Sequence, residues 1–407
     1  MRPKEKLEQI AADAALSVPD KEARIIELLS GESDRGVAAA VDCLVETDDE
    51  RAADFAAIHL ALLPGAREGK TRAAERLRGA GPMVRSASRL VPWLPGELLD
   101  GFVADYVADP KAGSPLSDVI FEIGVNAPDR LRPFADKVES HFIHRSLLSG
   151  SPDELVDAFL ERWREEDDDY DAIEAVALIR TPHAVRTLIA VREEFEDAEE
   201  WEILLELAGL LPDTEKSAGH PPAYLGSVVD EAESPHVMGG HVDGPVPVCP
   251  ACSAPAQRVL TVAAEAVPFG LAQDASFFWY TCSCGALETT TVRVGPGERY
   301  VFYGPHGVSD PSRSIVPGKR AMALEPHPNQ VGVSLEAIAG ASRHQVGGLP
   351  RWVEYDAHPH CPECREAMPF LASVDSGPTP FGAMGFRGTL FCFWCNDCGV
   401  SVTQHQS

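Results

Sequence analysis

Apolar residues recur with a helical period through the first half of the chain. Two runs place apolar residues at the i, i+3, i+4 and i+7 positions that define one helix face. These runs are Leu116, Val119, Ile120 and Ile123, and Trp201, Leu204, Leu205 and Ala208. The pattern predicts a succession of helices from about residue 4 to residue 211.

Three Ser/Thr-Pro steps mark predicted helix starts. They are Ser114-Pro115, Ser151-Pro152 and Thr181-Pro182, and Glu154 adds the acidic residue of a capping box. The prolines lie 37 and 30 residues apart, about the length of a two-helix repeat. Residues 1–220 therefore resemble an α-solenoid of HEAT-type repeats. An irregular helical bundle is the alternative, because no strict repeat consensus is present.

The pattern changes near residue 220. Prolines and glycines interrupt residues 212–248, which predicts a linker at 221–235. Beyond it, short β-branched and aromatic runs predict strands. These runs are residues 258–262, 276–281, 287–294, 299–303, 370–374 and 389–394. A second proline- and glycine-rich stretch, 304–346, predicts a connector between two β units at 236–303 and 347–407.

Charge divides the chain in the same way. The net charge is −28, and residues 1–235 hold 25 Lys/Arg against 49 Asp/Glu, whereas residues 236–407 hold 10 against 14. Nucleic-acid binding depends on positively charged side chains that neutralise phosphates. The acidic first half therefore disfavours nucleic-acid binding and favours a basic protein partner. The sequence shows no apolar signal segment and no membrane-spanning run, so we expect a cytoplasmic location and no membrane partner.

Eight of the ten cysteines form two similar sets, each a Cys-Pro-x-Cys followed by a second close pair. The first set is Cys249, Cys252, Cys282 and Cys284, and the second is Cys361, Cys364, Cys395 and Cys398. The second and third cysteines are 30 and 31 residues apart, and a Gly-Gly pair precedes each set. Four thiolates are a typical shell for structural zinc. The sequence predicts a duplicated β-rich domain that binds two zinc ions.

Other cysteines and histidines leave alternatives open. Cys392 could replace Cys395 as a ligand, although its position in an aromatic strand favours a buried core thiol, as does the helical position of Cys43. His358 and His360 could bind or support the metal, with exposed loop histidines as the simpler interpretation. A thioredoxin-like dithiol is the alternative for Cys-Pro-x-Cys, but each pair has a partner pair downstream.

The second β unit resembles a known family. The segments that carry the resemblance are Gly347-Gly348-x-Pro350-x-Trp352, Cys361-Pro362-Glu363-Cys364, Met368-Pro369-Phe370-Leu371 and Gly388-Thr389-Leu390-Phe391-Cys392-Phe393. Residues 235–407 are similar to the bacterial YwqG-like family and to the related eukaryotic programmed-cell-death-2 proteins. The resemblance implies a duplicated β-rich domain without catalytic residues, with a chaperone-like role in eukaryotes and a toxin-immunity role in bacteria.

The chain lacks the common nucleophile, phosphate-loop and dinucleotide motifs, and four-cysteine shells leave no open metal position. We therefore expect a non-enzymatic module that binds a basic client protein and has no small-molecule substrate. One alternative is an RNA- or ribosome-associated factor in which aromatic residues of the β domain stack on bases, although their position just before ligand cysteines is more typical of core residues. The candidates for stacking are Trp279, Tyr280, Phe393 and Trp394. The second alternative is a dithiol redox enzyme.

Overall fold

The chain folds into a helical half followed by a large antiparallel sheet. The computed structural model describes residues 2–111, 113–138, 140–165, 169–211, 220–282, 284, 289–295, 297, 299–308, 312–329, 344–353 and 358–407. The predicted order of helices and then strands is confirmed. No helix in these ranges is both long enough and apolar enough to cross a membrane.

Helices occupy most of residues 3–207. The α-helices are α1 Pro3–Ala12, α2 Val18–Ser30, α3 Val37–Glu46, α4 Glu50–Leu62, α5 Arg67–Leu77, α6 Gly96–Ala108, α7 Pro115–Asn126, α8 Pro128–Leu131, α9 His141–Leu148, α10 Asp153–Glu165, α11 Tyr170–Ile179, α12 Pro182–Ala190 and α13 Ala198–Leu207. Short 3-10 segments lie between some of them, and the longest is Gly81–Trp93.

The predicted helix starts differ in how they are capped. Helix α12 begins at Pro182, and the Thr181 hydroxyl accepts a hydrogen bond from the Ala184 amide. Helix α7 begins at Pro115, but the Ser114 side chain makes no capping bond. Helix α10 begins at Asp153, two residues after Ser151, and the Ser151 hydroxyl donates to the Leu147 carbonyl oxygen of the preceding helix (3.1 Å). This bond gives a partner to a backbone carbonyl oxygen at the end of α9, not to a backbone amide at the start of α10.

The helical half has two apolar cores. The first collects buried residues between Leu7 and Leu147, and the second collects those between Val156 and Leu210. The predicted face of α7 lies in the first core, where Val119, Ile120 and Ile123 are fully buried. The long 3-10 segment Gly81–Trp93 interrupts the succession of α-helices. The HEAT-type arrangement therefore stays a prediction.

Thirteen strands follow within the described residues. They are β1 Tyr224–Val229, β2 Val237–Met238, β3 Pro245–Pro247, β4 Ala256–Val262, β5 Ala275–Tyr280, β6 Thr289–Gly295, β7 Arg299–Phe302, β8 His306–Val308, β9 Arg320–Pro326, β10 His344–Val346, β11 Phe370–Asp375, β12 Thr389–Cys395 and β13 Val400–Gln406. All six predicted strands are present. Residues 287 and 288 of one of them, and 212–219 near the predicted domain boundary, lie outside the described residues.

Eleven of these strands form one sheet in the order β5-β4-β2-β9-β1-β10-β11-β12-β13-β6-β7, while β3 pairs with β8. Strand β13 also contacts β5, at the far end of this order, so the sheet curls. The predicted linker contributes β1, and the predicted connector contributes β9 and β10. The two predicted β units are therefore joined by strands that lie in the predicted linker and in the predicted connector, two segments rich in proline and glycine.

The sheet repeats its own pairing register. Val237 of β2 lies opposite Ala321 of β9, and Gln345 of β10 lies opposite Leu225 of β1 in the same way. Strands β4 and β5 shift register between Arg258 and Leu260, and β11 and β12 shift between Phe370 and Ala372. Because each shift follows its Gly-Gly pair at a similar distance, the duplication seen in the cysteines extends to the backbone. Strand β1 of the first copy pairs with the short strand β10 of the second copy, and strand β9 of the second copy pairs with the short strand β2 of the first.

Both faces of β12 are buried. Alternate side chains enter two different apolar cores, one on each face of the sheet. Leu390, Cys392 and Trp394 enter one core, and Phe391, Phe393 and Cys395 enter the other. Burial on both faces explains why this strand is a continuous apolar and aromatic run instead of an alternating one.

The helical half packs against the sheet through polar contacts as well as apolar ones. The Arg35 guanidinium donates to Asp230, which follows β1 (3.2 Å), and the Trp93 indole N–H donates to Glu325 of β9 (3.0 Å). A third contact, between α13 and the second cysteine unit, involves Glu206. These contacts join the helical half to the sheet that carries both cysteine sets.

Candidate metal centres

Each cysteine set comes together in space. Within each set, the four Sγ atoms all lie within 4.8 Å of one another. The two groups are Cys249, Cys252, Cys282 and Cys284, and Cys361, Cys364, Cys395 and Cys398. All ten cysteines of the chain are free thiols. Two four-cysteine groups without disulfides can hold two metal ions.

The spacing of the sulfur atoms fits a tetrahedral shell. Cys364 Sγ and Cys395 Sγ are 3.7 Å apart. Four sulfurs at about 2.3 Å from a central zinc ion would be separated by about 3.8 Å. The second group therefore has room for an ion at its centre without moving this pair of ligands.

The two Cys-Pro-x-Cys segments share one backbone conformation. In the first, the Ser253 amide donates to the Cys249 carbonyl oxygen (2.7 Å), and the Cys249 amide donates to Ala254 (2.9 Å). The same two bonds recur in the second segment, each at 2.9 Å. Ser253 and Arg365 both have positive φ, +59° and +71°. This tight turn aims both sulfurs of each pair to the same side.

The thiols within each group differ in acidity. A hydrogen bond from the Cys284 thiol lowers the pKa of Cys252 to about 7, and the backbone N–H of Glu366 lowers the pKa of Cys364. Burial, in contrast, raises the pKa of Cys395. A divalent cation at the centre would supply the positive charge that favours the thiolate form of all four cysteines.

The remaining cysteines lie outside both groups. Cys392 is fully buried, and burial raises the pKa of its thiol. It is three residues from Cys395 on one strand, so the two side chains leave opposite faces of the sheet. Cys43 is buried in the helical core, where burial raises its pKa to about 11. Neither thiol is placed to replace a ligand.

The two histidines before the second set have different surroundings. His360 is exposed, as expected for a loop residue. His358 is buried, so the interpretation as an exposed loop histidine is wrong for this residue. Its imidazole lies in a separate group with Glu206 and His220, not among the cysteines. No local motif in the sequence indicated His220, which lies in the proline-rich stretch just before β1.

The four aromatic residues considered for base stacking are all buried. They are Trp279, Tyr280, Phe393 and Trp394, at 5%, 6%, 0% and 2% exposure. A stacking platform needs an exposed ring face. The RNA-binding alternative therefore lacks the surface from which it was predicted.

An exposed acidic segment lies at the end of the helical half. Glu193, Glu194, Glu196, Asp197, Glu199 and Glu200 are all exposed. Phe195, in the middle of the segment, stacks on the Trp163 ring at 5.5 Å and also contacts Trp201. The Asp197 carboxylate caps α13 by accepting from the Glu199 amide (2.7 Å). The segment thus holds its carboxylates in a defined place at the surface.

Comparison with known proteins gives little further information. No protein-family model and no solved structure matches the chain. The chain is 26% identical over 202 residues to the uncharacterized protein YpfL of Salmonella typhimurium strain LT2. The match covers 47% of this chain and 43% of that protein, so the chain matches less than half of the relative's length. The resemblance to the YwqG-like and programmed-cell-death-2 proteins remains a prediction.

Proposed function

We propose that this protein is a non-enzymatic, zinc-containing module that binds a basic client protein through the acidic segment Glu193–Glu200. The observation that carries the proposal is the six exposed carboxylates of this segment, which is anchored by Phe195. A dense group of fixed negative charges attracts a basic partner over a distance and accelerates association. The resemblance noted above suggests a chaperone-like or immunity-like use of such binding.

Two zinc ions would give the sheet its rigidity in this proposal. Sulfur-only tetrahedral shells suit zinc or iron, and a full shell of four thiolates leaves no position for substrate or water. We expect elemental analysis to find at least two zinc ions per chain in protein purified without a chelator. We also expect this protein to be colourless. A metal content near zero, or the colour of iron bound to thiolates, would contradict this assignment.

Neutralising the acidic segment tests the binding proposal. The variant E193Q/E196Q/E199Q/E200Q removes four charges and leaves the Asp197 cap in place. The control E27Q/E68Q/E75Q/E97Q removes four exposed carboxylates elsewhere on the helical half. Proteins from the source cells are captured on each immobilised chain and identified by mass spectrometry, and the leading basic protein is then purified and its association rate measured.

We expect the wild type and the control to retain the same basic proteins, and the segment variant to lose them. The association rate of the purified client should fall at least about tenfold between about 0.05 and 0.5 M salt, because exposed charges are screened beyond a few ångströms at high salt. Equal capture by all three chains, or capture of proteins that are not basic, would refute the proposal.

A further inference from the structure

A second kind of metal-ligating group lies where the helical half meets the sheet. It consists of Glu206 on α13, His220 just before β1, and His358 just before the second Cys-Pro-x-Cys. One ligand atom from each of the three residues lies within 4.8 Å of the other two. Glu206 is 4% exposed and His358 is 3% exposed. Three ligands from three separated parts of the chain therefore converge in a buried place.

The atoms around this group hold the ligands in binding orientation. The His358 Nδ1–H donates a hydrogen bond to the Met368 carbonyl oxygen (2.9 Å). The Trp352 indole N–H donates to Glu206 Oε1 (3.2 Å). Metal-binding histidines commonly donate their other ring nitrogen to a carbonyl oxygen, and metal-binding carboxylates are hydrogen-bonded in the same way. His358 Nε2 and Glu206 Oε2 are thereby turned towards each other.

An ion pair alone accounts for only part of this group. His358 Nε2 and Glu206 Oε2 are 2.7 Å apart, which is a charge-assisted hydrogen bond if the imidazole is protonated. His220 Nε2, however, is buried and has no hydrogen-bond partner. A buried polar atom without a partner costs about 1 to 3 kcal/mol.

We propose that Glu206, His220 and His358 bind a third divalent cation of the zinc class and that this ion fastens the helical half to the sheet. Two imidazole nitrogens and one carboxylate are a common protein shell for zinc, with a water molecule as the fourth ligand. Arg180 carries a positive charge near Glu206, and its Nε donates to the Leu207 carbonyl oxygen (2.8 Å). The inference does not depend on the binding role proposed above.

Metal counting on the full-length chain tests the proposal. Protein is saturated with zinc, freed of loosely bound metal, and analysed by native mass spectrometry and elemental analysis. The variants are H220Q and E206Q, which keep side-chain volume close to the original, and the control is H241A, an exposed histidine of the sheet half. We expect three ions in the wild type and the control, and two in both variants.

Cobalt substitution locates the missing ion. Cobalt in a four-cysteine site gives intense sulfur charge-transfer absorption, whereas a nitrogen and oxygen site does not. We expect the sulfur bands of both variants to equal those of the wild type, which also shows that the sheet has folded. Two ions in the wild type would overturn the proposal, and the ion pair between His358 and Glu206 would then be the interaction that holds this group together. Three ions in H220Q and E206Q would also overturn it, because the third ion would then lie elsewhere.

Discussion

Gly347 occupies a turn in which a side chain has no room. Its φ is +69°, and a Cβ built on it would lie 2.2 Å from the Pro222 carbonyl oxygen. Gly239, in the corresponding turn of the first copy, has φ +66° and would place its Cβ 2.7 Å from the Gly318 carbonyl oxygen. Each of these glycines belongs to the Gly-Gly pair that precedes a cysteine set.

We predict that G347A lowers the free energy of unfolding by about 3 kcal/mol or more. About 1 to 2 kcal/mol comes from the left-handed backbone, and the rest comes from the clash with Pro222. The control is G65A, because Gly65 has a similar φ of +63° with no atom within 4 Å of the added Cβ. Urea unfolding measures both variants, and equal losses would show that the clash relaxes at no cost.

His59 makes the helical half sensitive to pH. Its side chain is fully buried in α4, its Nε2–H donates to the Arg35 carbonyl oxygen (2.9 Å), and its Nδ1 has no partner. Burial lowers the pKa of His59 below its ordinary value of about 6.5. Below that pH the unfolded chain binds a proton that the folded chain does not, so folding weakens as the pH falls.

We predict that H59Q loses less stability than the wild type between about pH 7.5 and about pH 5.5, because glutamine does not titrate and can still donate to Arg35. The free energy of unfolding is measured at both pH values by urea titration followed by far-ultraviolet circular dichroism, which reports the helices. Identical pH dependence in the two proteins would show that His59 is not the titrating group.

At the scale of elements, the second cysteine group joins the turn before β11 to the end of β12. Cys361 and Cys364 come from the turn, and Cys395 and Cys398 come from the strand end. We predict that C364S removes one metal ion per chain and exposes β12, because three thiolates bind zinc more weakly than four. Elemental analysis gives the count, and hydrogen exchange reports the protection of β12.

The control for this variant is C43A, which alters a buried thiol far from either group. It should keep the full metal count and leave the protection of β12 unchanged. An unchanged metal count in C364S would mean that the ligands are other than these four sulfurs. A loss of metal from both groups would show that the two sites fold as one unit.

At the scale of the whole molecule, Glu325 links the sheet to the helices. Its carboxylate on β9 accepts from the Trp93 indole (3.0 Å) and from the Gly65 amide (3.1 Å), and its side chain is 18% exposed. Since β9 is central in the sheet, this contact ties the middle of the sheet to the segment that follows α4. Unfolding of the two halves should therefore be coupled.

We predict that E325A destabilises the protein by about 2 kcal/mol and separates the unfolding of the helices from that of the sheet, because it removes the acceptor of both bonds. Far-ultraviolet circular dichroism follows the helices, and hydrogen exchange of the strand amides follows the sheet. The control E265A removes an exposed carboxylate from the sheet half. Coincident transitions in E325A would show that the other contacts between the halves are enough to couple them.

Local patterns determined a large part of this protein. The helical period of Val119, Ile120 and Ile123 predicts α7, because one face of a helix must be apolar to enter a core. The aromatic run of β12 predicts a buried strand for a similar reason. The spacing of the cysteines indicates two groups of four, because Cys-x-x-Cys on a tight turn already brings two ligands together before any distant part of the chain is involved.

Only the tertiary structure decided which distant segments pair and pack against one another. Strands β1 and β9 lie in segments rich in proline and glycine, and they are strands only because each pairs with the other and with a short strand of the other copy. Glu206 and His358 are 152 residues apart, so nothing in either local sequence indicates that they meet. Local chemistry sets what a residue can do, whereas the pairing of distant strands and the docking of the helices set which residues it meets.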